Sequence, residues 1–520
     1  MTRSIAVLIA GYVLASTAVA QDHVHPSTAQ VGTVHFPTSC SPLVAPTFDR
    51  AVAWLHSFEF AAAIKDFEAV LAADSSCAMA HWGIALSRWS NPMAAANRST
   101  AQLERGRAAV EAANRAISST TTKRERAYIT AVAELYRNFA GVSQSTRVAA
   151  YEKAMRELAA SHADDPEARI FHAISLVAAA SPADKTYANQ RKAGAVLEEL
   201  WAKQPDHPGL AHYIIHTYDY PALAAEASRA ARTYASIAPS AAHALHMPSH
   251  IFTRTGQWRE SIETNLKSRE IALSTGSIAE ALHALDYAAY AYLQLRREKE
   301  AKGVVEQLPD LERRFDVNAV TGAAPGSAGV FAIAAIPARY ALEREAWSEA
   351  AALVPKPSGF PWTEAMTHFA RGLGASRSGD LSGARDAVDS LAAIRDRLAA
   401  RDEPYWSEQV AIQHLAATAW LDLAEGRVDS ALARMRRAAA REDATEKSAV
   451  TPGPLAPARE LLGDMLMKVG QPAEALVEYR RTLVKEPNRY RALAGGVKAA
   501  KASRNEAAER ELRSRLESIG

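Results

Sequence analysis

Cysteine is nearly absent: Cys40 and Cys77 are the only two in 520 residues. Excess charge is also missing. The formal net charge is +2 with acids and bases interspersed, which argues against a nucleic-acid partner, since such a partner needs a concentrated basic face. Runs of β-branched residues are few and alanine is abundant, so the chain is expected to be all-α. Beyond the first twenty residues nothing approaches the ~20 uninterrupted apolar residues that cross a bilayer. There is no glycine-rich phosphate loop, no GxSxG elbow, no HExxH pair and no cysteine placed as a nucleophile. A hydrolase or kinase of familiar type is therefore unsupported.

What is present begins with MTRSIAVLIAGYVLASTAVAQDH. Arg3 supplies a positive start, Ile5 to Leu14 an apolar stretch, and Ala18-Val19-Ala20 a small-residue cleavage site. Residues 1–20 read as a secretory signal peptide, with the mature chain starting at Gln21 in the periplasm or outside the cell. No cysteine follows the apolar stretch, so no lipid anchor is expected there. In an oxidising compartment a Cys40–Cys77 disulfide is the economical reading, worth roughly 3–4 kcal/mol in the chain-entropy model. Two separate buried thiols or a metal pair are the alternatives. The arm at 21–43 carries His23, His25 and His35 and reads as a tail rather than as a ligand source.

Periodicity sets the expected architecture. From Ala456, the residues Leu462, Gly463, Leu466, Ala475, Tyr479 and Pro487 fall at positions 7, 8, 11, 20, 24 and 32. Small residues at 8 and 20 let two antiparallel helices approach, a large one at 24 fills the gap to the next pair, and proline at 32 stops the second helix. This pattern resembles the tetratricopeptide repeat, a unit of ~34 residues. A unit from Val44 places Ala51, Phe60, Ala63 and Phe67 in the same register. Units from Ala365 and Ile412 carry turn glycines Gly379 and Gly426, and Pro205 and Pro239 set starts at Pro208 and near Ala242. Looser starts fall near Ala78, Arg169, Leu282 and Phe331. The expectation is an α-solenoid of antiparallel helix pairs, with one array at 44–317, a linker at 318–330, and a second array with a charged capping helix at 331–520.

The histidines stand out against this register. Six of the chain's sixteen fall between His212 and His283. Counted from Pro208, His212 and His216 take positions 5 and 9. From Ala242, His243, His246 and His250 take 2, 5 and 9. From Leu282, His283, Asp286 and Tyr290 take 2, 5 and 9. These offsets share one helical face, the face that lines the concave groove in such repeats. At this histidine frequency, chance would place roughly one or none there.

Three readings stay open. In the first, His212 and His216 at i, i+4, with His246 or His250 and Asp286, grip one transition-metal ion. Imidazole suits Zn, Cu, Fe or Ni, with Zn or Cu as the working expectation. In the second, the groove binds a peptide or anionic ligand, helped by Arg254 and Arg339. In the third, the histidines are helix packing. Pro248 sits at position 7 of its unit and breaks or delays the helix there, which weakens the facing argument for His243 and His246. Pro337 holds the same position in the unit from Phe331. His81, His172, His368 and His414 lie at or near packing positions and read as structural, as do Trp82, Trp89 and Trp201.

The strings CAMAHWGIAL (Cys77 to Leu86), AHYIIHTYDYP (Ala211 to Pro221), HALHMPSHIFTRTGQW (His243 to Trp258), HALDYAAYAYLQL (His283 to Leu295) and AAIPARYALE (Ala334 to Glu343), with Ser39-Cys40, resemble a family of exported bacterial tetratricopeptide repeat proteins. The resemblance spans most of the chain and implies an α-solenoid outside the cytoplasm; it carries no activity with it. The expected function is a scaffold holding a protein or peptide partner, or a ligand, in a histidine-lined groove, through a transition-metal ion in the first reading. A mononuclear metalloenzyme on His212, His216, His246 or His250, and Asp286 is the alternative. A purely structural interaction scaffold is the second.

Overall fold

Helix pairs form where a small residue faces an aromatic one. In the pair Ala458–Lys468 and Pro472–Lys485, Gly463 lies against Tyr479, and a Cβ at Gly463 would stand 2.9 Å from that ring. The following helix, Tyr490–Ala502, brings Gly495 against the same ring, and Ala475 is fully buried. Gly83 with Phe67, Gly106 with Tyr136 and Gly194 with Tyr218 repeat the device. The computed structural model describes residues 29–93, 98–181 and 183–519; the signal peptide expected at 1–20, and His23 and His25, lie outside the described residues. Among the described residues every regular element is helical, and each helix packs on its neighbours in chain order. The fold is an all-α solenoid of tetratricopeptide-like pairs. No described helix is long and apolar enough to cross a membrane.

Several register starts hold closely: helices begin at Ala78, Pro208 and Ala242, and at Ala45 and Ala458 beside the starts expected at Val44 and Ala456, whereas Ala365 and Ile412 fall inside the helices Pro361–Ser378 and Pro404–Ala424. The looser starts at Arg169, Leu282 and Phe331 lie inside helices that begin at Pro166, Ile278 and Gly326. Cys40 and Cys77 are joined by a disulfide, which ties the segment before the first helix to the start of the Ala78–Trp89 helix. Within the span expected as a linker, residues 326–330 open the Gly326–Glu343 helix, which packs on both Ile278–Gln294 and Pro361–Ser378. Ala323 and Ala324 are buried, and Ala324 donates its backbone N–H to Glu280 Oε2 at 2.7 Å.

The superhelix curls until its late pairs touch its middle. Trp258 Nε1 donates to the Asn488 carbonyl at 2.9 Å, and the Tyr490 N–H donates to Gln294 Oε1 at 3.0 Å. Gly256 has φ +71°, and a Cβ there would collide with the Pro487 carbonyl, so glycine is required both for the turn and for the approach. Arg489, fully buried, bridges Glu343 and Glu460 at 2.7 Å each. The Arg489–Glu343 contact crosses the closure, and loss of Arg489 would leave buried carboxylates unmatched.

Candidate functional site

The Pro208–Tyr218 helix starts on proline, whose missing N–H costs nothing at the first position. Four residues of spacing put His212 and His216 on one face. In the next pair Pro248 removes one N–H from the ladder, and the first helix divides into Ala242–His246 and Pro248–Arg254. Met247 between them keeps right-handed helical angles, φ −55° and ψ −35°. The chain therefore bends without unwinding, and His243, His246 and His250 still face the same space. His283 comes from the Ile278–Gln294 helix.

The six imidazoles form two adjoining triads. His212, His216 and His243 make one and His246, His250 and His283 the other, and in each the three ligand-capable atoms lie within 4.8 Å of one another. Ring centres across the boundary are 6.1 Å apart for His243–His246 and 6.4 Å for His216–His250. All six are 0–8% exposed, so they line a closed interior where an open groove was expected. The closure comes from both ends of the chain. Phe58 lays its ring against His212, His216 and His243. On the far side, Tyr287 contacts the rings of His246, His250 and His283 and donates its hydroxyl to the Thr451 carbonyl at 3.1 Å.

Outward-facing nitrogens are held by oxygen. His212 Nδ1 donates to the His56 carbonyl at 2.6 Å. His246 Nδ1 donates to Asn265 Oδ1 at 2.7 Å, an amide whose orientation is set by its Nδ2 donating to the Ser261 carbonyl at 2.6 Å. His250 Nδ1 donates to Asp219 Oδ2 at 2.8 Å. His243 Nδ1 lies 3.1 Å from Glu280 Oε1. Inward nitrogens have no protein donor: His212 Nε2, His216 Nε2, His243 Nε2 and His283 Nδ1 are buried without a hydrogen bond. The Nε2 atoms of His246 and His250 face each other at 3.0 Å.

Electrostatics follow from burial. Desolvation pushes His216, His243 and His246 down to about 3 and His250 to about 4, and takes His212 and His283 well below the usual imidazole range. Burial, with the Glu280 carboxylate beside it, raises Glu59 to about 8. Asp219 is held well below the usual carboxylate range against its own burial by Lys447, Arg254 and His250. Lys447 lies 3.5 Å from Asp219 and is lowered to about 8 by burial.

The other expected site residues go elsewhere. Asp286 pairs with Arg339 at 3.0 Å, both fully buried, and stands in neither triad. Arg339 also donates to Thr451 Oγ1 at 2.8 Å and to the carbonyls of Gly453 and Pro454 at 2.7 and 3.0 Å, which anchors the loop that closes the interior. Tyr290 accepts from Arg489 at 3.1 Å and donates to Glu486 at 3.3 Å. Arg254 donates to Asp219 Oδ1 at 2.9 Å. So His212, His216, His246 and His250 share one interior, whereas Asp286, Tyr290 and Arg339 make a structural ionic set beside it.

A third cluster went unnoticed in the sequence. Glu167, buried, accepts from His56 Nε2 at 2.8 Å and His207 Nε2 at 2.9 Å. Asp219, Glu280, Asn265, Phe58, Tyr287 and Lys447 were also missed. Asp219, Glu280 and Tyr287 had a signal: each lies three or four residues from a cage histidine on the same stretch. Asn265, Phe58 and Lys447 had none. At Arg254 and Lys447, which both reach Asp219, lies a cavity of about 110 Å³ also lined by Thr451, Phe331, Trp362 and Trp406.

No protein-family model matches the chain, and no curated protein matches it. Solved structures similar to it include a monomeric mutant of IFIT1 with Gppp-AAAA, at 12% identity and a TM-score of 0.38, covering 93% of this chain and 98% of that one. A human IFIT1 dimer with m7Gppp-AAAA is also similar, at 12% identity and a TM-score of 0.42, covering 85% and 90%. At these values the likeness carries no argument about what this chain binds.

Proposed function

We propose that the protein is an exported tetratricopeptide-like scaffold whose closed interior binds a transition-metal ion on His246, His250 and His283. One observation carries this reading: the Nε2 atoms of His246 and His250 stand 3.0 Å apart while both Nδ1 hydrogens are committed outward, to Asn265 and Asp219. Neutral rings in those tautomers point two lone pairs at each other. A proton between them would need an imidazolium, which burial disfavours at both rings. A metal ion 2.0–2.1 Å from each nitrogen removes the repulsion and spans that separation at an angle of roughly 95°. Oxygen acceptors on the far ring nitrogen are the usual support of a metal-binding histidine.

Imidazole ligands suit Zn, Cu, Fe or Ni, and three of them leave a coordination position open. The metalloenzyme reading therefore stands second, favoured by the cavity of about 110 Å³ that reaches Lys447 and Arg254 beside the cage. Export rests on residues 1–20, and N-terminal sequencing of the processed protein, expected at Gln21, tests it.

The decisive experiment is elemental analysis of protein purified without a histidine tag. At least one equivalent of a transition metal is expected, lost in His246→Ala/His250→Ala. No bound metal, together with no rise in melting temperature on adding Zn(II), Cu(II), Ni(II) or Fe(II), would defeat the reading.

A further inference from the structure

We infer that the cage holds two transition-metal ions as one paired centre, the first on His212, His216 and His243 and the second on His246, His250 and His283. This rests on the metal reading above and extends it from one ion to two. The two triads are built alike. Each has one histidine set against a carboxylate, His243 on Glu280 at 3.1 Å and His250 on Asp219 at 2.8 Å. Each has one whose outer N–H is held by a neutral oxygen, His212 on the His56 carbonyl at 2.6 Å and His246 on Asn265 at 2.7 Å. In each the third, His216 or His283, has a buried ring nitrogen without a hydrogen bond; His212 Nε2 and His243 Nε2 share that state in the first triad, whereas the Nε2 atoms of His246 and His250 face each other in the second. A packing accident at one triad would not be expected to recur at the other with the same two kinds of outer contact.

The second triad is also no spare set for the first. In both, three nitrogens already converge within 4.8 Å, enough to supply three ligands to an ion of its own. The triads share a border, with ring centres 6.1 and 6.4 Å apart across it, so ions held by the two triads would be near enough to share a small bridging anion such as hydroxide. The bridging anion and the carboxylates of Glu280 and Asp219 would offset charge that six neutral imidazoles cannot.

The test uses the full chain, untagged, stripped with a chelator and reloaded with Cu(II) alone, then separately with Zn(II) alone. Wild type is expected to take up two equivalents of either. With Cu(II), magnetic coupling through the bridge is expected to leave the integrated electron-paramagnetic-resonance signal far below two spins per chain. His212→Ala/His216→Ala and His246→Ala/His250→Ala are each expected to hold one equivalent and to restore a one-spin signal. Circular dichroism confirms that each variant is folded. Wild-type stoichiometry and spin count need no variant, so a misfolded mutant does not rescue the proposal. One equivalent in wild type overturns the pair and leaves the single-ion reading standing. Two equivalents at full spin intensity mean separate sites and also overturn it. No bound ion ends both.

Discussion

Two buried histidine clusters lie on either side of the His56–Phe58 turn, and they solve the same problem differently. In the first, Glu167 accepts from His56 and His207, while His56 Nδ1 meets the Tyr213 hydroxyl at 3.0 Å. The carboxylate stays ionised because two imidazole donors reach it, and it is held below the usual carboxylate range. That trio supplies its own acceptor to the ring nitrogens that face it. In the six-histidine cage the carboxylates stand behind the rings, and the inward nitrogens find no donor. Burial of histidine by itself therefore does not call for a metal. The metal proposal rests instead on the side of the ring on which the acid sits.

The comparison breaks most visibly when metal is added. Apo protein reloaded at about a thousand times the dissociation constant should gain about 4 kcal/mol in denaturant unfolding. That gain should vanish when His212, His246 and His250 are all replaced by alanine. Next in size, Glu167→Ala should cost roughly 3 kcal/mol, because two buried imidazole donors lose their acceptor. The cost should be the same with and without chelator; a change in metal content would show that the His56–Glu167–His207 cluster itself takes part in metal binding. Asn265→Ala removes the acceptor that fixes the His246 ring and should weaken metal affinity about 10- to 100-fold, measured by competition titration.

Acid gives the smallest effect per group and separates the clusters by pH. The cage histidines have folded values lowered to about 3 or 4, so below about 6.5 the unfolded chain takes up protons that the folded one refuses. Apo protein should lose stability as pH falls from about 6.5 towards those values, by up to ~1.4 kcal/mol per pH unit for each such histidine. Glu167, whose folded value is depressed, contributes stability above its unfolded value and loses it only as pH falls through the acid range. Denaturant melts of chelated protein at pH 7, 6 and 5 should therefore slope in wild type and flatten when the cage histidines are removed. A slope unchanged by those substitutions would place the acid sensitivity elsewhere.

Much of the cage was legible along the chain. Spacing of four paired His212 with His216 and His246 with His250, and the register from Pro208 and Ala242 brought the two pairs to one face. Pro248 raised the right question, and Met247 answered it by keeping helical angles through the break. The reading of Asp286 as a ligand went astray because register reports the face of a helix and not the partner across it. That partner is Arg339, more than fifty residues later. Phe58 and the His56 carbonyl enter from over 150 residues upstream, and no local pattern marks them. Their position belongs to a turn in which Phe58 takes a positive φ of 57°; Gly256, Gly379 and Gly426 take positive φ of 71°, 91° and 82° in the corresponding turns.

Composition and period were enough to determine the helical solenoid, because a 34-residue spacing of small, aromatic and proline residues leaves antiparallel pairs as the way to bury them. Residue spacing likewise decided which histidines would share a face. Tertiary structure alone decided that the face is shut. Curling brought Asn488 to Trp258, Thr451 to Tyr287 and Phe58 to His212. Exposure, pKa and the inward lone pairs all depend on those long-range contacts, since desolvation is a property of everything packed around a ring and not of the helix that carries it.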